Sequence, residues 1–190
     1  MNDEVRQQSH VVQVIHQVYH VASIVKKKGK VLLDRYFLSE PAIKAWKELS
    51  GEHETLLHIV TKVRRSYVAY TDPPPRTGKP GRPRIHGERV KLFELFGDQS
   101  ITFQTATLLL YGVKEEVSYY GVDLLWKEGL YQKLRFVWVS YGNIKSVLTS
   151  TDLEADPTTI IELYAKRTNI ECMFRAMKQT MAGFFLSFLD

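Results

Sequence analysis

The sequence predicts an α/β protein in which a block of antiparallel strands separates two helix-containing segments. Two observations predict this. Apolar residues recur at spacings of three and four near both ends of the chain, whereas β-branched and aromatic residues fill the middle. With 190 residues, 44% of them apolar, the chain is long enough to bury a core without covalent staples. A single Cys excludes a disulfide framework and a Cys-based zinc site.

The first block, residues 1–62, alternates helix and strand. An apolar stripe predicts a helix over 6–28, with Gly29 as its C-cap. A short strand follows at 31–33 and ends at Asp34, and a second helix has Ser39 as N-cap and Pro41 in its first turn. A strand is expected at 55–60. This order indicates an α/β core.

The second block, residues 63–150, is rich in strand-forming residues. Strands separated by Gly, Asp and Asn are expected at 66–70, 89–96, 101–111, 117–125 and 134–141. They predict an antiparallel meander. A segment rich in Pro and Gly interrupts it, and we expect residues 72–91 to form an extended basic arm.

The third block, residues 151–190, returns to helix. After a strand expected at 145–151, Asp156 and Pro157 form a strong helix start as N-cap and first helical residue. The periodicity predicts a helix that runs to about Lys178.

The net charge of +5 is concentrated in one segment. Residues 62–91 contain nine basic residues and two acidic ones, a net charge of +7, which leaves −2 for the rest of the chain. A localised basic patch indicates a polyanionic partner, nucleic acid first. The alternative is a solvated loop.

The arm carries a short motif of its own. Lys79-Pro80-Gly81-Arg82-Pro83-Arg84 resembles the AT-hook, whose arginines lie in the minor groove of A·T-rich DNA. We therefore take Arg76, Lys79, Arg82 and Arg84 as candidate DNA contacts, with a solvated linker as the alternative.

Two further features are candidates for chemistry. Tyr164, Arg167, Glu171 and Lys178 are spaced by 3, 4 and 7 residues, which places them on one stripe of the last helix. Asp34 ends a strand, where a carboxylate can hold Mg²⁺. The alternatives are a solvated helix face and an ordinary Asp at the start of a turn.

Together these residues resemble a known family. The pattern Y-x₂-R-x₃-E-x₆-K at 164–178 is similar to the YREK signature of bacterial insertion-sequence transposases of the DDE class. The sequence LLDRYFLSEPAIKAW around Asp34 resembles the surroundings of that family's second catalytic Asp, and STDL before the last helix is also typical. The resemblance covers roughly residues 10–180.

The resemblance implies a fold and a reaction. The fold would be an incomplete ribonuclease H-like core with a large antiparallel β insertion. Asp34 and Glu171 would bind Mg²⁺ or Mn²⁺ and catalyse cleavage and strand transfer of double-stranded DNA at transposon ends. Tyr164, Arg167 and Lys178 would bind phosphates.

One departure qualifies this expectation. The family's first catalytic Asp lies on a strand upstream of the second, but Asp3 is the only Asp before Asp34 and has no strand-like surroundings. We therefore expect a truncated, inactive transposase fragment. The alternative is a DNA-binding module that does not cut DNA and competes with an intact transposase.

The resemblance also bears on partners and location. A homodimer, or a dimer with an intact transposase, is an expected assembly. No apolar run approaches 18 residues and no signal peptide is visible, so we expect no membrane partner. The resemblance implies a cytoplasmic, nucleoid-associated bacterial protein.

Overall fold

The computed structural model describes residues 9–51, 55–76 and 82–186. Within these ranges the chain forms three α-helices and eight strands. Their order is α1 (His10–Val25), β1 (Gly29–Leu33), α2 (Glu40–Ser50), β2 (Leu57–Lys62), β3 (Val68–Tyr70), β4 (Arg89–Lys91), β5 (Gln104–Leu110), β6 (Val113–Trp126), β7 (Gln132–Tyr141), β8 (Ile144–Ser150) and α3 (Pro157–Leu186). Short 3-10 helices lie at Arg35–Phe37 and Glu94–Gly97.

The strands form one sheet that is mostly antiparallel. Its order is β1-β2-β8-β7-β6-β3-β4, and β5 pairs with β6 beside this path. Only β1 and β2 are parallel among the described pairs, and α2 connects them. The other pairs are antiparallel, and β5 to β8 form a continuous meander. The prediction of a mixed α/β chain with an antiparallel block is confirmed at this level.

Helices cover both faces of the sheet. On one face α1 and α2 pack over a core that includes Ile15, Ile43, Phe136 and Trp138. On the other face the first part of α3 packs over a second core, whose buried residues include Val60, Val137, Val139, Leu148, Ile160 and Ile161. Neighbouring residues of a strand alternate between the two cores because successive side chains point to opposite faces.

Two helices begin as the sequence predicts. The Ser39 hydroxyl accepts a hydrogen bond from the Ala42 amide at 3.4 Å, and Pro41 lies in the first turn of α2. The Asp156 carboxylate accepts from the Thr158 amide at 2.9 Å, and α3 begins at Pro157. The helix α3 continues to Leu186, eight residues beyond the expected end at Lys178.

The predicted C-cap of α1 is wrong. The helix ends at Val25, and Lys26 adopts the left-handed conformation with φ of 54°, while its amide donates to the Ala22 carbonyl at 2.9 Å. Gly29 is instead the first residue of β1, because its amide donates to the Leu56 carbonyl at 2.8 Å. The expected helical residues 6–8 lie outside the described residues.

The predicted strand at 89–96 is shorter than expected. After Lys91 the chain leaves the sheet and forms a turn and a 3-10 helix. The neighbouring strand β3 begins only at Val68, which pairs with Lys91, and the Leu92 carbonyl accepts from the indole Nε1 of Trp138 instead of from a strand. In the described part of the chain, no helix has the length and apolar character that crossing a membrane requires.

Candidate nucleic-acid interface

A basic cleft surrounds Asp34 at the carboxyl ends of β1 and β2. Because β1 and β2 are parallel, these ends lie side by side, and Asp34 follows β1 while Lys62 ends β2. Five cationic side chains line the cleft, which has a volume of about 720 Å³; they are Arg35, Lys62, Arg64, Arg65 and Lys145. Asp34 is the one acidic residue among its described lining residues. This arrangement favours a polyanion.

Antiparallel pairing brings Lys145 to the same place. The start of β8 lies beside the end of β2, where the Val63 amide donates to the Val147 carbonyl at 2.8 Å. Lys145 therefore joins the residues that follow β2, although it is distant from them in sequence.

Aromatic rings hold three cations at or beside this cleft. The Arg64 guanidinium lies 5.9 Å from the ring centroid of Tyr67, and that of Arg65 lies 5.7 Å from Phe93. The Lys145 ammonium lies 5.5 Å from Phe96. Cation–π contacts orient the charged groups without neutralising them. The cations consequently keep their charge for a ligand.

Asp34 has a structural role of its own. Its Oδ1 accepts a hydrogen bond from the Arg35 amide at 2.6 Å, and its carbonyl accepts from Phe37 at 2.9 Å, so it caps the 3-10 helix. The side chain is solvent-exposed. Asp34 therefore starts a turn, which was the alternative for this residue, and its predicted role as a metal ligand stays a prediction.

The described residues do not form a complete magnesium centre. They contain no group of three or more His, Cys, Asp or Glu residues that could hold a metal ion. Among the described lining residues of the cleft, one carboxylate stands with five cations, and these residues alone disfavour a divalent cation. Glu171, the expected second ligand, lies on α3, and its side chain is outside the described part of the structure.

Tyr164 lies in a neighbouring pocket. It lines a cavity of about 210 Å³ with Tyr111, Tyr141 and several apolar residues of the meander and α3. The Tyr141 hydroxyl donates to the Tyr111 hydroxyl at 3.5 Å. Burial raises the pKa of Tyr141 most, and this hydrogen bond raises it further. Lys62 lines both this pocket and the basic cleft. The two regions named by the sequence, around Asp34 and Tyr164, are therefore adjacent.

The remaining residues of the helical motif also belong to α3. Arg167 is half-buried on α3. Lys178 belongs to the same helix, and its side chain, like that of Glu171, lies outside the described part. The motif residues Tyr164 and Arg167 are thus on the helix that covers the second core, three residues apart.

The two ends of the arm are joined to each other next to the sheet, at Thr71 and Gly87. Arg76, Arg82 and Arg84 are exposed, and Lys79 lies outside the described residues. The Gly87 amide donates to the Thr71 carbonyl at 2.8 Å, which ties the two limbs of the arm together. A Cβ on Gly87 would lie only 2.5 Å from the Asp72 carbonyl oxygen, so this close approach requires glycine.

Aromatic packing reinforces this junction. The ring of His86 stacks on Tyr131 with a centroid distance of 4.9 Å and an interplanar angle of 18°. Tyr70 contacts the same ring at 4.6 Å. The last arginines of the arm therefore extend from an ordered point of attachment on the sheet.

A second polar cluster lies at the start of β2. The Lys30 ammonium is 3.0 Å from the Asp152 carboxylate, and the His58 ring lies 3.3 Å from the Thr151 hydroxyl. Burial lowers the pKa of His58, although the nearby charge of Asp152 opposes this. Partial burial raises the pKa of Asp152, but the hydrogen bond from Lys30 and the charge of His58 outweigh burial. The pKa of Asp152 is therefore below its ordinary value. This cluster joins β1, β2 and the segment that leads into α3.

Sequence reasoning did not identify the cleft as such. It counted Lys62, Arg64 and Arg65 in the basic segment but assigned the DNA contacts to the arm. It did not single out Arg35 or Lys145. The available signal was the run of basic residues directly after a buried strand, at the edge where ligands of α/β sheets gather.

Comparisons with known proteins gave no relatives. No protein-family model matches the chain, and no curated protein or solved structure matches it significantly.

Proposed function

We propose that this chain is a DNA-binding protein of the DDE transposase type, which holds double-stranded DNA in the basic cleft around Asp34. The observation that carries the proposal is the convergence of Arg35, Lys62, Arg64, Arg65 and Lys145 on one cleft. Such a group matches the phosphate backbone, which dominates the affinity of DNA-binding proteins. The transposase class rests on the resemblance of residues 10–180, including the surroundings of Asp34.

The arm extends this interface. Arg82 and Arg84 are exposed and flank Pro83 in a segment without helix or strand, which suits contact with a groove or with phosphates. Their anchor at Thr71 and Gly87 lowers the conformational entropy that binding would otherwise lose. We expect the arm to add affinity that depends strongly on salt.

Strand cleavage is the second candidate activity. The observation that favours it is the position of Asp34 in the wall of the cleft, where the family's second catalytic carboxylate would meet a scissile phosphate. The full proposal is a ribonuclease H-like core that cleaves and transfers transposon ends with Mg²⁺ or Mn²⁺. In this proposal Glu171 supplies the other carboxylate, and Tyr164, Arg167 and Lys178 bind phosphates.

A nicking assay separates the two candidates. A supercoiled plasmid is incubated with the chain and Mg²⁺ or Mn²⁺. If the chain nicks the plasmid, and if Asp34→Ala and Glu171→Ala each abolish the nicking, the result would support a transposase activity. DNA binding without nicking would support a DNA-binding module that does not cut DNA. If the chain neither binds nor nicks DNA, both candidates fail.

A further inference from the structure

We propose that two copies of this chain pair through the open edge of β1, antiparallel about a two-fold axis at Val31, so that one sheet runs through the dimer. The inference rests on strand geometry and charge. It does not depend on the proposed DNA binding.

The first observation is an edge with open hydrogen-bonding groups. β1 is the last strand on its side of the sheet, and among the described residues β2 is its one neighbour. The Gly29 amide donates towards β2, to the Leu56 carbonyl at 2.8 Å. Because backbone groups alternate along a strand, Lys30 and Leu32 direct their amides and carbonyls away from β2. An edge of this kind is a template for another strand.

The second observation is that this edge is complementary to itself. If two strands run antiparallel with Val31 opposite Val31, then Lys30 of each copy faces Leu32 of the other. Those are the residues whose backbone groups are open, so all four amides and all four carbonyls find partners across the axis. A register shifted by one residue would set open groups against groups already used by β2.

Charge selects the antiparallel direction. In this register, exposed Lys28 of one copy lies opposite exposed Asp34 of the other. A parallel in-register pair would instead place lysine beside lysine and aspartate beside aspartate. Opposite charges in facing positions stabilise a strand pair, and like charges destabilise it.

Exposed apolar residues precede the strand in the chain. Val21, Ile24 and Val25 in the last turns of α1 are 58%, 66% and 56% exposed, directly before the turn into β1. Val31 packs on the sheet face that α1 and α2 cover. A second copy brings its own Val31 to the axis, where burial of the two side chains would stabilise the dimer.

Cysteine cross-linking tests the register. In a Cys172→Ser background, which removes the only native thiol, Val31→Cys places two sulfurs across the axis. The Cα separation of such a non-hydrogen-bonded pair, about 4.5 Å, suits a disulfide. Lys28→Cys is the control, because the two copies of residue 28 are about 20 Å apart in the antiparallel pair. Oxidation should link the Val31→Cys chains and leave the Lys28→Cys chains single.

A charge reversal gives a second measurement that needs no new thiol. In sedimentation equilibrium, Lys28→Glu should raise the dimer dissociation constant about tenfold, and adding Asp34→Lys should restore it. Circular dichroism confirms that each variant is folded. A monomeric wild type at about 100 μM, efficient cross-linking at residue 28, or an unchanged dissociation constant for Lys28→Glu would each overturn the proposal.

Discussion

The Asp34 carboxylate and the Lys62 ammonium line the same cleft, because β1 and β2 run parallel and end at one edge of the sheet. Asp34 also caps the following 3-10 helix through its hydrogen bond from the Arg35 amide. Among the described lining residues, Asp34 is therefore the one acidic group beside five cations at the place where we propose that DNA binds.

Asp34→Asn should strengthen DNA binding about two- to fivefold. Asparagine keeps an oxygen that can accept the hydrogen bond from Arg35, so the cap is preserved while the repulsion of phosphates is lost. Fluorescence anisotropy with a labelled duplex at fixed salt measures the effect. The control is Asp98→Asn, which removes an exposed charge outside the cleft. Weaker binding by Asp34→Asn would show that the carboxylate assists DNA binding.

The arm variant Arg82→Ala with Arg84→Ala should weaken duplex binding and flatten its dependence on salt. If both arginines contact phosphates, the slope of log K against log salt should fall in magnitude by about two. The measurement is a series of binding isotherms from low to physiological salt. Unchanged affinity and slope would identify the arm as a solvated linker.

The stability of the fold should decrease as the pH falls below about 6.5. Burial lowers the pKa of His58, so the unfolded chain binds a proton more readily than the folded chain. The stabilising contribution of neutral His58 is complete above its unfolded pKa and is lost as the pH falls through the folded value. Urea denaturation at several pH values should show a shallower decline for His58→Gln than for the wild type. His20→Gln, at an exposed position of α1, should leave the decline unchanged.

Arg135→Met should lower the free energy of unfolding by about 1.5–3 kcal/mol. The guanidinium donates to both oxygens of Asp123, at 2.8 and 3.0 Å, and to the Ala155 carbonyl at 2.9 Å. It thereby ties the meander to the segment before α3. Lys133→Met breaks the more exposed pair with Asp72 and should cost less than about 1 kcal/mol. Equal losses for the two variants would contradict this assignment.

Local signals were sufficient for the helix starts. Ser39 with Pro41, and Asp156 with Pro157, determine where α2 and α3 begin, because capping depends on a few consecutive residues. The C-cap predicted at Gly29 was wrong, because the pairing of β1 with β2 overrode an equally local signal for a helix end. The strand expected at 89–96 is shorter because its partner β3 begins only at Val68.

The candidate site was predictable in part. Asp34 could be placed at a strand end from the sequence, and the basic run at 62–65 lies directly after another buried strand. That both strands end at one edge follows from their parallel pairing, which the alternation of helix and strand suggests. Lys145 lies in the cleft because β8 pairs antiparallel with β2. No local sequence pattern encodes a contact between residues so far apart in the chain.

The most direct test of the central claim is the affinity for duplex DNA of Arg64→Ala with Arg65→Ala. Lys44→Ala with Lys47→Ala is the matched control, because it removes two exposed positive charges from α2, outside the cleft. The cleft variant should lose affinity at least tenfold more than the control, with a salt slope reduced in magnitude by about two. Equal affinities for the two variants would show that DNA does not bind in the cleft around Asp34.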